Sequence, residues 1–177
     1  HDFEEEKQTA MVADALQSTH PIYTSVETPA QATELFDVIT YEKGCAVLRM
    51  IEAYLGEDAF RAGVRRYIHR FKGKNAQGSD LWQALEEETS QPVEPLMRSW
   101  VEKPGFPLIS FSIESAGNKT KVSWKQKRFF DDPAIKEKTE GWLVPVLMQY
   151  EDEKGNIYTH RELLTGTAGQ FTLDAYS

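Results

Sequence analysis

The spacing of apolar residues changes once along this chain, at the segment EKPGFP (residues 102–107). Before it, apolar side chains recur at helical intervals. After it, they alternate with polar side chains, as in a strand that has one solvated face. The change predicts an α+β fold in two parts, with an antiparallel helical array over residues 1–104 followed by a small antiparallel β-sandwich over residues 105–177.

Helix-start and helix-stop residues divide the first part into several helices. Gly56 is placed to end one helix, and Ser79 is placed to cap another, with Asp80 favourable in its first turn. The predicted helices are EEKQTAMVADALQ from Glu5, a short helix Ala30–Phe36, then Thr40–Leu55, Asp58–Phe71, Ser79 through Glu88, and a last one carrying Leu96, Met97, Trp100 and Val101. The expected buried stripes are Gly44, Val47, Leu48, Ile51 and Leu55 in one helix, and Phe60, Val64, Tyr67, Ile68 and Phe71 in the next.

The second part has the pattern of an antiparallel meander. Ile109, Phe111 and Ile113 alternate with polar residues, and AGNK (116–119) predicts a hairpin turn into a strand whose Val122 and Trp124 share one face. A second hairpin is predicted around EDEKGN (151–156), and GQFTL (169–173) begins a further strand. Pro145 indicates an edge strand or a bulge. Because the chain ends soon after the last strand begins, we expect the sandwich to lack a strand.

Charge and cysteine content narrow the possible partners and compartments. With a net charge of −8 and a pI of about 5.1, the chain would on average repel a phosphate backbone, so we expect no nucleic-acid partner. No apolar run is long enough to span a membrane. The single cysteine, Cys45, excludes an internal disulfide and favours a reducing, cytoplasmic compartment. Its place within a helix predicts a small core residue rather than a nucleophile.

No complete catalytic site can be assembled from the residues present. None of the four histidines lie four residues apart, the spacing that puts two metal ligands on one helix face. His20 is interpreted as a residue that fixes its loop. The chain has no G-x-S-x-G elbow and no phosphate-binding glycine loop. By these criteria the chain does not encode a self-sufficient enzyme.

Tyr41, at the start of the helix in FDVITYEKGCAVLRM (36–50), allows two interpretations. It can be a core aromatic whose hydroxyl binds main chain, with Gly44 allowing close helix packing. Alternatively, its hydroxyl can point into a cleft and donate a hydrogen bond to a developing oxyanion. The local pattern leaves both open.

Several segments, taken in order, resemble the zinc-dependent aminopeptidases of the M1 family, of the gluzincin group. The longest is FDVITYEKGCAVLRMIEAYLGEDAFRAGVRRYI (36–68), which resembles the stretch carrying the family's catalytic tyrosine. The others are DALQSTHPI (14–22), NAQGSDLWQALEE (75–87), WVEKPGFP (100–107), KQKRFF (125–130) and GWLVPV (141–146). The resemblance covers nearly the whole chain, and the ordered set is more specific than any single segment.

The resemblance implies that Tyr41 donates to the oxyanion of a tetrahedral intermediate while zinc acts on its other side. It gives Glu42 and Lys43 only framing contacts, at the surface or beside the site, and it gives Gly44 a packing role. The family's H-E-x-x-H helix, its further zinc-ligand glutamate and its G-x-M-E-N segment would lie upstream of His1, and its large C-terminal helical domain would lie beyond Ser177.

The resemblance therefore suggests a fragment comprising the distal helical half of an M1 catalytic domain and most of the following β-sandwich domain. We expect such a fragment to be inactive alone and to bind no zinc itself, since the zinc of the parent enzyme would be held by the missing half. Peptides would be substrates of the parent enzyme. The alternative is a stand-alone, non-catalytic module that binds a protein partner.

Overall fold

The computed structural model describes residues 3–25, 28, 37–116, 119–135, 137, 140–151 and 154–174. The chain divides into two compact units, His1–Pro104 and Gly105–Ser177. The described part of the first unit is helical, and that of the second forms two small antiparallel sheets. The predicted α+β fold class is confirmed. None of the described helices is both long and apolar enough to cross a membrane.

In the helical unit, the predicted helices are present with shifted boundaries. The described helices are α1 (Phe3–Asp14), a five-residue π-helix (Ile39–Lys43), α2 (Gly44–Leu55), α3 (Glu57–Phe71), α4 (Gly78–Thr89) and α5 (Val93–Val101). The predicted helix Ala30–Phe36 lies outside the described residues. The main departure is at the π-helix, where the sequence predicts an ordinary α-helical first turn.

The N-cap of α4 lies two residues before the predicted one. Because α4 begins at Gly78, Ser79 already lies inside the first turn and cannot act as the cap, so that prediction is wrong. Gln77 caps the helix instead, and its backbone N–H donates to Asp80 Oδ2 at 2.7 Å in a reciprocal capping box. The favourable first-turn position of Asp80 is confirmed.

The predicted stripes are buried only in part. Val47, Ile51 and Leu55 are buried, whereas Leu48, Ile68 and the predicted core residue Cys45 are exposed. The remaining stripe positions have intermediate exposure, namely Gly44, Phe60, Val64, Tyr67 and Phe71. Helices α3 and α4 approach closely at Gly63, where an added Cβ would lie 2.6 Å from Leu85 Cδ2. The buried apolar residues described in this unit are Ala10, Ala15, Ile39, Val47, Ile51, Leu55, Ala84, Leu85, Val93, Leu96, Met97 and Val101.

The β unit contains two hairpins, as predicted, but it is not a meander. Its strands are β1 (Pro107–Ala116), β2 (Lys119–Arg128), β3 (Val144–Glu151), β4 (Ile157–Leu164) and β5 (Ala168–Asp174). Strand β5 returns to pair with β2, giving the order β1-β2-β5, while β3 and β4 form a separate two-stranded sheet. Local alternation indicates strands, but it does not indicate which strand β5 chooses. The two apical residues of the predicted AGNK turn lie outside the described residues.

Burial follows the predicted alternation along β2 but not along β1. Val122 and Trp124 are buried on β2, as predicted. Pro145 lies in the two-stranded sheet, where every strand is an edge, so its predicted edge position is confirmed. On β1, Phe111 and Ile113 are exposed although they lie on the same face as Trp124 and Val122, their partners across the strand pair.

Gln126 connects three backbone segments of the β unit. Its side-chain amide nitrogen donates to the carbonyl oxygens of Trp142 at 2.8 Å and Gly166 at 2.5 Å, and its carbonyl oxygen accepts the Trp142 N–H at 2.9 Å. Gly141, with φ at +83°, allows this approach, because an added Cβ would lie 2.4 Å from the Gly166 oxygen. The buried Gln126 side chain is thus hydrogen-bonded through both ends of its amide.

Candidate active site

Tyr41 lies on the exposed side of the π-helix Ile39–Lys43, which we call the Tyr41 turn. Its exposed fraction is 55%, whereas Ile39 and Lys43 on either side of it are buried. The interpretation of Tyr41 as a sealed core aromatic does not agree with this exposure. Its role as an oxyanion donor stays a prediction. Single π-helical turns occur frequently at functional sites.

A buried ion pair holds the C-terminal side of the Tyr41 turn. Lys43 Nζ lies 2.9 Å from Asp14 Oδ2, and it donates to the Lys103 carbonyl oxygen at 3.3 Å. Asp14 is only 2% exposed and also accepts the Thr19 hydroxyl at 2.7 Å. The turn is thereby connected to the end of α1, to the loop after it and to the segment after α5. A surface position for Lys43 is contradicted, because the side chain is buried next to Tyr41.

A second charge pair holds the N-terminal side of the turn. Asp37 Oδ1 accepts the Thr40 N–H at 2.9 Å, and Asp37 Oδ2 lies 2.5 Å from His20 Nε2. The other ring nitrogen, Nδ1, lies 2.8 Å from the Pro21 carbonyl oxygen. The interpretation of His20 as a loop-fixing residue is confirmed, and its partner is the residue that caps the turn.

Electrostatic interactions shift the pKa values of this pair in opposite directions. The hydrogen bond to the Pro21 carbonyl raises the pKa of His20 above its ordinary 6.5; burial opposes this shift, and Asp37 and Asp14 add to it. Burial pushes the pKa of Asp37 upward, but the Thr40 amide and His20 together outweigh it, so that the net shift is downward. Both shifts favour an imidazolium next to a carboxylate.

Next to Tyr41, α2 presents small and apolar residues to the outside. An added Cβ at Gly44 meets nothing within 4 Å, so the predicted packing role of Gly44 is wrong. Cys45 is exposed, and its prediction as a core residue is also wrong. The buried face of α2 consists of Val47, Ile51 and Leu55, whereas Cys45 and Leu48 are exposed.

Comparison with known proteins places the Tyr41 turn within a recognised domain. The family model described as "Peptidase family M1 domain" matches residues 1–100, which is more than half of the chain. The chain belongs to peptidase family M1.

Three M1 relatives illustrate the extent of the match. A leucyl aminopeptidase of Saccharolobus solfataricus is 42% identical over 120 residues, covering 68% of this chain and 15% of its own length. The puromycin-sensitive aminopeptidase of Caenorhabditis elegans is 34% identical over 174 residues, covering 98% and 18%. The tricorn protease-interacting factor F2 of Thermoplasma acidophilum is 37% identical over 146 residues, covering 82% and 18%.

The chain spans less than a fifth of the length of these relatives. The matches to the relatives from C. elegans and T. acidophilum cover more residues than the helical unit contains, so they include part of the β unit.

The described residues of this M1 chain do not form a set of zinc ligands. Among them, no three His, Cys, Asp or Glu side chains lie close enough together to hold a metal ion. Both ring nitrogens of His20 face acceptors, namely a carboxylate and a carbonyl oxygen, so this ring is not available as a ligand. Zinc remains an implication of the family resemblance.

Two residues next to Tyr41, Asp37 and Asp14, were not identified from the sequence as its supports, and Lys43 was given framing contacts without a partner. Asp37 could have been found, because an aspartate just before an apolar helix start is a recognised capping signal. Asp14 and Lys43 form a contact between distant parts of the chain, and neither spacing nor charge pattern indicates such a contact. The sequence therefore identifies the exposed tyrosine but not the charge pairs on either side of it.

Proposed function

We propose that this chain forms part of the active site of a zinc-dependent aminopeptidase, in which Tyr41 donates a hydrogen bond to the oxyanion of the tetrahedral intermediate. The observation that carries the proposal is the exposed Tyr41 ring on a turn whose neighbouring side chains, Ile39 and Lys43, are buried. The names of the M1 relatives, which are aminopeptidases in most cases, support the reaction class.

The chemistry proposed for Tyr41 needs a donor that is already in place. Attack on a peptide carbonyl leaves negative charge on its oxygen, and a phenol can stabilise that charge through a hydrogen bond without losing its own proton. A donor fixed before the reaction loses no free energy to reorganisation at the transition state. The two charge pairs that flank the Tyr41 turn are suited to such fixation.

The direct test replaces Tyr41 with Phe in the full-length protein that contains this chain. We expect kcat for a peptide substrate to fall about 100- to 1,000-fold, with a small change in KM, because the lost interaction is made in the transition state. Tyr54→Phe is the matched control, since Tyr54 lies on α2 and its hydroxyl donates to Gln91 instead. A loss of less than tenfold in Tyr41→Phe, with the fold intact, would contradict the proposal.

The isolated 177-residue chain provides a second test. We expect no aminopeptidase activity from it, with or without added zinc, because the described residues supply no ligand set. Clear zinc-dependent turnover by the purified chain would show that this expectation is wrong.

The exposed apolar residues Phe111 and Ile113 bear on the alternative, a stand-alone, non-catalytic module that binds a protein partner. If they mark a surface that the rest of an enzyme covers, the isolated chain should bind hydrophobic dyes or self-associate. A dye-silent monomer would favour the module instead.

A further inference from the structure

We propose that His20 and Asp37 are positioning residues, which fix the hydroxyl of Tyr41 by holding the N-terminal side of the Tyr41 turn. The inference rests on the proposed function, because it assigns these residues a purpose only if Tyr41 is the donor. Neither residue needs to touch the substrate. Their effect would pass through the backbone of the turn.

The geometry links the Asp37 carboxylate to the backbone next to Tyr41. Asp37 Oδ1 accepts the N–H of Thr40, the residue immediately before Tyr41, at 2.9 Å. The N–H of Tyr41 itself donates to the Asp37 carbonyl oxygen at 3.2 Å. Asp37 thus accepts hydrogen bonds from two successive backbone N–H groups of the turn, one at its side chain and one at its carbonyl oxygen. A rotation of Asp37 would move both.

His20 fixes the orientation of this carboxylate. Its Nε2 lies 2.5 Å from Asp37 Oδ2, and its Nδ1 lies 2.8 Å from the Pro21 carbonyl oxygen. A ring nitrogen can donate to each of these acceptors only when the imidazole carries both protons. The protonated ring therefore connects the loop after α1 to Asp37, and the neutral ring can keep only one of the two donated bonds.

The His20–Asp37 pair is partly exposed, so its main role is not to stabilise the fold. The side chains of His20 and Asp37 are 34% and 32% exposed, and pairs at such sites add little to the free energy of unfolding. The buried Asp14–Lys43 pair on the other side of the turn is different, since breaking it would affect folding directly. The His20–Asp37 pair can therefore be altered while the fold survives, which makes its effect on kcat measurable.

Charge around His20 favours its protonated form. The carboxylates of Asp37 and Asp14 both act on the ring, and Asp14 is itself paired with Lys43. The raised pKa of His20 agrees with this arrangement. Its contribution to positioning should be complete below pH 6.5 as long as Asp37 is ionised, and it should disappear as the pH rises through the pKa of His20 in the folded protein.

The experiment compares Asp37→Ala, Asp37→Asn and His20→Ala in the full-length protein. We expect Asp37→Ala to lower kcat by about 100-fold, as a displacement of about 1 Å can do, with KM nearly unchanged. Asp37→Asn keeps an oxygen for the Thr40 amide but loses the charge pair, so a loss of about tenfold is expected. His20→Ala should resemble Asp37→Asn, and it provides the test should Asp37→Ala fail to fold.

A double-mutant comparison separates this inference from the proposed function. If the pair acts through the Tyr41 hydroxyl, then adding Asp37→Ala or His20→Ala to Tyr41→Phe should cause no further loss of kcat. An equal loss in both backgrounds would overturn the positioning role and leave the oxyanion role intact. A Tyr41→Phe protein that keeps its activity would instead overturn the proposed function.

Two further measurements distinguish positioning from a general structural role. The ratio of wild-type kcat to that of His20→Ala should fall toward one as the pH rises, and a pH-independent ratio would contradict the inference. Hydrogen exchange at the Thr40 and Tyr41 amides should be faster in Asp37→Ala than in the wild type. Asp80→Ala is the matched control, because it removes an equivalent carboxylate from the start of α4 and should leave both kcat and those amides unchanged.

Discussion

The helical unit buries an ion pair, Asp14–Lys43, next to the exposed candidate residue Tyr41. The β unit instead buries the neutral amide of Gln126, where three backbone segments meet. The Gln126 amide is neutral, so its burial requires hydrogen-bond partners but no compensating charge. The β unit also buries Arg128, but that guanidinium reaches the half-exposed Glu137 and lies 4.5 Å from the Phe130 ring centroid.

The difference indicates what each buried group does. An ion pair taken out of water recovers its desolvation cost only with good geometry, and apolar residues of similar size often stabilise a protein as well or better. Stability alone therefore gives little reason to place one beside Tyr41. Gln126, by contrast, is sufficiently explained by the backbone groups it satisfies. We interpret the buried pair as part of the support of the Tyr41 turn, and Gln126 as part of the architecture of the β unit.

The largest effect is expected from Lys43→Met. This change leaves the Asp14 carboxylate buried without its cation, and breaking such a pair typically costs about 3–5 kcal/mol in the free energy of unfolding. Denaturant titration measures the loss, and hydrogen exchange should locate it in the helical unit.

The matched control for Lys43→Met is the double variant Asp14→Leu with Lys43→Met, which removes both charges and should recover most of the stability. A loss below about 1 kcal/mol in Lys43→Met would show that the stability of the helical unit does not depend on a buried ion pair, and the contrast with the β unit would fail.

Gln126→Leu should be the next most damaging change. Leucine matches the glutamine in size but removes the hydrogen bonds that Gln126 makes to the Trp142 amide and to the Trp142 and Gly166 carbonyl groups, so we expect a loss of about 2–4 kcal/mol. Faster hydrogen exchange should be confined to the β unit. Lys125→Ala, on the exposed face of the same strand, should change stability by no more than about 0.5 kcal/mol. If both variants behave alike, Gln126 does not connect the unit as described.

The sequence predicted the features that depend on neighbouring residues. Helical spacing located the helices to within a few residues, alternation located the strands, and Tyr41 was singled out at the start of its helix. The misplaced cap of α4 is an error of two residues, in which Gln77 rather than Ser79 occupies the capping position. Such boundaries depend on small differences between local hydrogen bonds.

Features that depend on distant parts of the chain could not be predicted in this way. Strand β5 pairs with β2 rather than with β4, because that choice depends on the packing of the whole unit. Cys45 and Ile68 lie at the margins of apolar stripes, and periodicity does not determine which margin a neighbouring helix covers. The Asp14–Lys43 pair could not be predicted for the same reason, since it forms only once α1 and the Tyr41 turn have come together.

Two glycine substitutions compare a closely packed position of the helical unit, Gly63, with an open position next to the Tyr41 turn, Gly44. In Gly63→Ala the new Cβ would lie 2.6 Å from Leu85 Cδ2 and 3.1 Å from Leu85 Cα, so overpacking should destabilise the protein by about 1–3 kcal/mol. Gly44→Ala is the matched change in open space, where the better helix propensity of alanine should give a gain of up to about 1 kcal/mol. Thermal unfolding of both proteins measures the difference, and equal losses would contradict the close approach at Gly63.

The smallest effect concerns pH, and it separates the charged contacts of the helical unit from the neutral contacts of the β unit. The contribution of Asp37, whose pKa is lowered by folding, is present above its ordinary value of 3.8 and is lost as the pH falls through its folded pKa. The contribution of His20, whose pKa is raised, is complete below 6.5 and is lost as the pH rises through its folded pKa. Their joint contribution is therefore largest between about pH 4 and pH 6.5.

This pH dependence is measured as the difference in unfolding free energy between the wild type and Asp37→Asn. Because both side chains are about one-third exposed, the difference at its maximum should be only about 0.5–1 kcal/mol. It should decline on both sides of the maximum. The corresponding difference for Gln126→Leu should be the same at every pH, since neither an amide side chain nor the backbone groups it binds titrate in this range. A flat curve for Asp37→Asn would mean that the His20–Asp37 contact is not an ion pair in solution, and it would leave the Asp14–Lys43 pair as the only charged support of the Tyr41 turn identified among the described residues.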